Sequence, residues 1–272
     1  MYKITIAVAT YNRIDYVRII SKSLTECKLI DSCNIRIYDD CSSELTLNDL
    51  AAIFPQAREI IVREKNLGAD RNMHQIYKDF LRTEDDLLVV IDSDLICNPY
   101  FIEFVNENID RTDGMLSVYN SISHEPLYEL DETFLIKAHV GSAGTVFKRE
   151  IVSLIVENEQ LDFRVRYDWE WSAYLSNAGI RLFVSRESMV QHIGLCGQNC
   201  NGILTVQIGH NFRPVSGVNY DAALAAYEMI IENYRHMTLS NYDVFKKTKD
   251  YRIGQALLSP LRKIRETYRR LR

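Results

Sequence analysis

The sequence predicts an α/β fold: a doubly wound, mostly parallel sheet with a helical extension toward the carboxyl end. Segments that read as strands alternate with segments of helical period through the first half of the chain. That alternation is the pattern of βαβ units joined by right-handed crossovers. The run Leu87-Leu88-Val89-Val90-Ile91 is apolar without interruption, as a strand covered on both faces requires. A length of 272 residues, 47% hydrophobic and 25% charged, is enough to bury a large core.

Taken in order, Ile4–Ala9 reads as a strand and Asp15–Leu29 as an amphipathic helix. Asn34–Tyr38 is a strand, followed by a short helix around Glu44–Phe54. Glu59–Val62 is a strand, Ala69–Leu81 a helix and Leu87–Ile91 the buried strand. Tyr100–Asn108 is helical and Met115–Tyr119 strand-like. Beyond about residue 120 the rhythm changes. Strand candidates appear at Thr133–Lys137, Gly144–Phe147 and Ile180–Val184, with helices at Arg149–Glu157 and Asp168–Asn177. Residues 194–219 are rich in Gly, Asn and Gln and read as a long loop. Helical periodicity resumes over Asp221–Tyr234.

The absence of an 18-residue apolar run argues against a spanning helix. A strand-like segment starting at Lys3 leaves no room for a signal peptide, so a cytoplasmic location is expected. Six scattered cysteines without a CxxC pair read as free thiols. His192, Cys196 and Cys200 share a four-residue spacing but lack a fourth ligand for a structural zinc. The net charge of −5 hides an asymmetry: residues 246–272 hold ten Lys and Arg against two acids. An acidic body with a basic tail excludes general nucleic-acid binding and gives the tail its own anionic partner.

In open α/β sheets the ligand crevice lies beyond the carboxyl ends of the strands. Each early strand here ends in a polar turn: Thr10-Tyr11-Asn12-Arg13, Asp39-Asp40-Cys41-Ser42-Ser43, Arg63 through Asn72, and Asp92-Ser93-Asp94. Together they describe a nucleotide pocket. Tyr11 can stack on a base, Asp40 can accept from a pyrimidine N–H, and Arg71 can meet a phosphate. Individually, Asp39, Ser42 and Asn66 suit turn chemistry or helix caps, and Gly68 a tight turn. Asp92 and Asp94, at i and i+2, point to one side of the strand end and can hold a hard divalent cation. The competing reading has them end the strand and cap the helix near Asn98-Pro99-Tyr100.

These residues resemble the GT-A fold nucleotide-sugar glycosyltransferases, and most closely the large, mostly inverting bacterial family 2. The matching segments are Ile6 through Arg13, Asp39 through Ser43, Asn66-Leu67-Gly68 with Arg71-Asn72, and Asp92-Ser93-Asp94, which looks like the DxD signature. The match continues through Gly141-Ser142-Ala143-Gly144 and Asp168-Trp169-Glu170 to His192. The resemblance implies a catalytic domain over 1–219, with a nucleotide-binding part over about 1–119 and an acceptor-side part over about 120–219. Residues 220–272 form the basic helical extension. It implies donor-binding roles for Thr10, Tyr11, Arg13, Asp40, Asn66, Gly68, Arg71, Asp92 and Ser93, with Tyr11 and Asp40 at a base that is commonly uracil. It implies Mn²⁺ or Mg²⁺ on Asp94, Asp92 on the ribose or the metal, and His192 as a further metal or diphosphate contact. The donor would be a UDP-sugar and the acceptor a glycan or lipid-linked glycan in surface polysaccharide synthesis.

Inverting transfer needs a carboxylate to take the acceptor proton. Helical spacing sets Asp168 on the inward stripe with Trp171 and Leu175, whereas Glu170 shares a more exposed stripe with Tyr174 and Asn177. A carboxylate against tryptophan is partly desolvated and becomes a better base, so Asp168 is preferred and Glu170 is second. The relatives write this acidic pair ED; here Trp169 splits it. Trp169 or Trp171 could present an apolar face to a sugar ring. In the tail, Leu261, Ile264, Tyr268 and Leu271 form one helical stripe amid basic residues, suited to an anionic membrane surface. Packing on the catalytic domain or on a second copy, as a homo-oligomer, is the competing use. Retaining transfer and a non-catalytic carbohydrate-binding scaffold stay open as alternatives.

Overall fold

Strand β1 (Ile4–Thr10) sorts its side chains between two cores, Ile4, Ile6 and Val8 into one and Ala7 into the other. Helices cover both faces accordingly. On the first lie α1 (Ile14–Thr25), α2 (Leu47–Ile53) and α4 (Phe101–Asn108), contributing Val17, Ile20, Leu24, Leu50, Phe101 and Val105. On the second lie α3 (Ala69–Leu81), α5 (Arg149–Glu157) and α6 (Tyr167–Asn177), contributing Ile76, Tyr77, Phe80, Val152, Trp171 and Leu175. The sheet is therefore doubly wound. This computed structural model describes residues 1–122, 124–164, 166–194 and 209–215, with isolated positions at 220, 221, 224 and 228. The chain divides into two units, Met1–Ala226 and Tyr227–Arg272.

The remaining strands are β2 (Asn34–Asp39), β3 (Glu59–Val62), β4 (Leu87–Asp92), β5 (Leu95–Cys97) and β6 (Met115–Ser117). They continue with β7 (Pro126–Glu129), β8 (Phe134–Lys137), β9 (Thr145–Lys148), β10 (Leu182–Ser185) and β11 (Val190–His192). Among the described residues the main sheet runs β3-β2-β1-β4-β9-β6-β10-β8-β7, and β11-β5 forms a separate ribbon. Strands β3, β2, β1 and β4 are parallel, with Ala9 opposite Asp92 and Thr10 opposite Asp39. Strand β9 enters antiparallel between β4 and β6, so the second half is mixed.

Three strands escape the sequence reading. Strands β5 and β11 hold three residues each, too few to show a period. Strand β7 is exposed throughout, begins with a proline and lies at the sheet edge, where a missing N–H is tolerated. Helix α1 stops at Thr25 rather than Leu29, and Leu29 itself adopts a left-handed φ of 62° before a 3₁₀ turn at Ile30–Ser32. Helix α2 starts at Leu47, fixed by a capping box between Thr46 and Asp49. The acids Asp92 and Asp94 cap no helix: α4 begins after Tyr100 without a side-chain cap.

Part of the expected loop over 194–219 returns to the body. Gly209 bridges to Ser121, its N–H donates to the Gln191 side chain at 3.0 Å, and Phe212 is buried. Of the helix expected over 221–234, the described positions Asp221, Leu224 and Glu228 are helical. Cys196, Cys200 and the basic stripe over 246–272 lie outside the described residues.

Candidate active site

The strand order reverses direction between β1 and β4, which makes their carboxyl ends the topological switch point where open sheets bind ligands. The loops there are held by side chains. Thr10 Oγ1 donates to Asp39 Oδ1 at 2.9 Å, and the Ser42 N–H and hydroxyl donate to the same carboxylate at 2.8 and 2.6 Å. Asn12 and Arg13 both sit at left-handed φ, 52° and 56°, a costly pair for residues other than glycine. Asn12 compensates: its Oδ1 accepts from the N–H of Ser43 and Glu44 at 2.8 and 3.1 Å, lashing the first loop to the second. Asp40 is buried and accepts from the N–H of Leu67 and Gly68 at 2.8 and 2.9 Å. Gly68, at φ +83°, also donates to Asn66 Oδ1 at 3.0 Å. Asp39, Ser42 and Asn66 thus do the turn work their residue types suggest. Tyr11 is half-buried, and Arg71 stands exposed on the first turn of α3.

The two acids converge with a guanidinium and an imidazole. Asp94 is buried, its Oδ2 lies 2.6 Å from Arg13 Nη2, and its Oδ1 lies 3.4 Å from His192 Nε2. The ribbon of β5 with β11 sets this geometry by pairing His192 with Leu95, while Ile193 N–H donates to Asp94 O at 2.8 Å. Gly194 passes so close that a Cβ there would overlap the Asp94 carboxylate. Ser93 is buried in the turn between the acids, its N–H donating to Ala9 O. Burial first, and then the charges of Asp94 and Asp168, push the Asp92 carboxyl up to about 7, with Arg13 opposing. No hydrogen bond to Asp92 offsets that burial among the described residues.

A crowded carboxylate pair of this kind is what a hard cation relieves, so the donor set fits Mn²⁺ or Mg²⁺. No group of three or more His, Cys, Asp or Glu side chains forms a cation cage among the described residues. A divalent ion on one or two carboxylates would draw its other ligands from phosphate and water.

Asp168 lies on the first turn of α6. Its Oδ1 accepts from the Trp169 N–H at 2.9 Å and its Oδ2 lies 3.9 Å from His139 Nε2. Burial raises its pKa, and the Asp70 charge adds to the rise. Glu170 is exposed, as its stripe predicts. Trp171 is fully buried core, which removes it as a sugar platform; Trp169 is 51% exposed and stacks on His139 at 3.8 Å between ring centroids. The helix starts at Arg166 in the left-handed region, without a cap of its own. Asp70, on α3, supplies one from afar by accepting from Arg166 and Tyr167 N–H at 3.0 and 3.2 Å. Asp70 and His139 were not foreseen; their partners are remote in sequence and leave no local signal. Asn12 could have been marked, since asparagine tolerates a left-handed turn.

The parallel half-sheet, its switch-point acids and the acid on α6 define a GT-A type of protein. The chain matches the model described as "Glycosyl transferase family 2" over residues 5–165, more than half its length, and belongs to that family. No curated protein matches it. Among solved structures it resembles S. aureus TarS 1–349, with 20% identity and a TM-score of 0.52 over 69% of this chain and 59% of that one. The complex of TarS 1–349 with UDP-GlcNAc gives 19% identity and a TM-score of 0.53, over 69% and 57%. Mannosyltransferase PcManGT from Pyrobaculum calidifontis, in complex with GDP-Man and Mn²⁺, gives 15% and 0.54 over 95% of this chain and 84% of that one. At these identities the likeness is one of fold, and the chain spans about three fifths of TarS 1–349.

Because Asp70 is the remote cap of α6, Asp70→Ala is expected to cost about 1 kcal/mol of stability. Urea unfolding of the two proteins measures this; equal midpoints and slopes would show that the cap contributes nothing.

Proposed function

We propose that the chain is a metal-dependent glycosyltransferase that moves a sugar from a nucleoside diphosphate, UDP in the first instance, to a hydroxyl of a glycan or lipid-linked glycan. The observation that carries this reading is the Asp92-Ser93-Asp94 turn at the switch point, electrostatically coupled to Asp168 on α6. The complexes of related folds with UDP-GlcNAc and with GDP-Man and Mn²⁺ support it.

In this reading Tyr11 stacks on the base, Asp40 contacts the base while it also holds the third loop, and Arg71 and Arg13 meet the diphosphate. Thr10, Asn66, Gly68 and Ser93 shape the pocket walls. Asp94 and Asp92 would hold Mn²⁺ or Mg²⁺, with His192 beside them, and a bound ion would supply charge neutralisation for the departing diphosphate. Asp168 takes the proton of the acceptor hydroxyl as that oxygen forms its bond to the anomeric carbon. The bond to the diphosphate breaks on the opposite face, which inverts the centre. A desolvated Asp168 holds that proton more readily than an ordinary aspartate. Bacterial surface polysaccharide or glycoconjugate synthesis is the setting proposed for this transfer.

Localisation is proposed as cytoplasmic, with peripheral attachment through 246–272. Among the described residues, no helix is long and apolar enough to cross a membrane.

UDP with Mn²⁺ is expected to raise the melting temperature, by an amount worth about 2.7 kcal/mol at a hundredfold excess over Kd. Asp94→Ala should abolish the metal-dependent part. A wild-type protein indifferent to UDP in Mn²⁺ would sink the donor assignment. Asp168→Asn should keep the UDP response and lose about 10²- to 10⁴-fold in transfer. Wild-type activity should fall as pH drops through the raised Asp168 pKa, since protonation removes the base; an acid limb unchanged from that of a free aspartate would place the base elsewhere. Removing residues 246–272 should abolish cosedimentation with liposomes of anionic lipid; undiminished binding would refute the membrane role.

A further inference from the structure

Beside the candidate base lies a recess that the transfer reaction, as described, does not use. Strand β8 ends in Lys137, which is 4% exposed. Its ammonium donates to Ser121 O at 2.8 Å and forms no ion pair with a carboxylate among the described residues. Glu125 acts on it only through its field, while burial pulls the Lys137 pKa down to about 8. A buried cation without a counter-ion is expensive unless something anionic visits it. The next turn adds His139, 8% exposed, whose Nδ1 has no hydrogen-bond partner. His124 meets the His139 ring edge-on at 5.0 Å between centroids. Desolvation lowers the pKa of both imidazoles, His139 down to about 4, and a neutral imidazole keeps one N–H to give.

Lys137, His139, His124, Ser121 and Tyr119 line a cavity of about 40 Å³. A water needs roughly 10–15 Å³ of such space, so this one accommodates a single small polar group and excludes a sugar ring. The cavity adjoins the base. Gly141, on its wall, would carry a Cβ 3.8 Å from Asp168 Oδ2, and His139 Nε2 lies 3.9 Å from the same oxygen. The Trp169 ring, stacked on His139, forms an exposed apolar shelf at the rim.

We propose that this recess is an acceptor subsite for one oxyanion, a carboxylate or phosphate borne by the acceptor sugar whose hydroxyl faces Asp168. The ring of that sugar rests at Trp169, its anionic substituent enters between Lys137 and His139, and its hydroxyl is left at the carboxylate. The proposal rests on the glycosyltransferase reading of the site. It adds that a neutral acceptor is the poorer ligand.

The test uses the full chain with saturating UDP and Mn²⁺, so that the diphosphate position is already filled. Tryptophan fluorescence and melting temperature are followed during titration with glucuronate, inorganic phosphate and glucose. The UDP shift itself reports the underlying reading, so its absence is told apart from failure of the subsite. Saturable responses to glucuronate or phosphate, at least tenfold tighter than to glucose, support the proposal, and whichever anion responds identifies the source. Lys137→Met should weaken that response at least tenfold. Should that variant not fold, His139→Gln, which alters the cavity donor, is measured instead and should weaken it too. Equal responses to glucuronate and glucose, no response to either anion, or an unchanged response in a folded variant would overturn it.

Discussion

The parallel pairing of β1 with β4 is the constraint on which the site depends. Its register sets Ala9 opposite Asp92, so the first loop and the acidic turn emerge side by side at the reversal of strand order. Backbone hydrogen bonding fixes that register, and a slip of one residue would turn both acids to the wrong face. Everything else at the crevice is arranged around this fixed pair of strand ends. Asn12 ties the first loop to the second, Asp40 ties the second to the third, and Ser93 N–H ties the acidic turn back to β1.

The same geometry concentrates negative charge where water is scarce. Asp92 and Asp94 lie two residues apart, with Asp168 within their field. Arg13 and His192 offset Asp94, yet Asp92 is left to burial and like charge. Such a centre carries a standing electrostatic cost, which a cation or a ligand with cationic character would reduce. The fold tolerates it because two apolar cores flank the sheet, one on each face.

Much of this was legible in the sequence, for physical reasons that differ by element. Strand β3 and helices α3 and α5 fall at the expected residues because their apolar periods are complete and their ends are marked. The polar strand ends were legible because an apolar strand stops abruptly at a charged residue. The exposure of Glu170 and the burial of Trp171 follow from helical spacing alone. What stayed hidden depends on partners distant in the chain. Strands β5 and β11 exist through pairing with each other, and the place of His192 beside Asp94 comes from that ribbon. The antiparallel insertion of β9, the remote cap by Asp70 and the meeting of His139 with Asp168 likewise have no local signature.

Asp70 and Arg71 are consecutive residues at the start of α3. One grips the first turn of α6, which bears Asp168, and the other is the side chain assigned to the donor phosphates. A pull on that turn of α3 is therefore transmitted to the turn that bears Asp168 without passing through the sheet. The two halves of the crevice share a mechanical joint, in which the Asp70 carboxylate acts together with the buried contact of His74 with the Tyr167 hydroxyl at 2.9 Å.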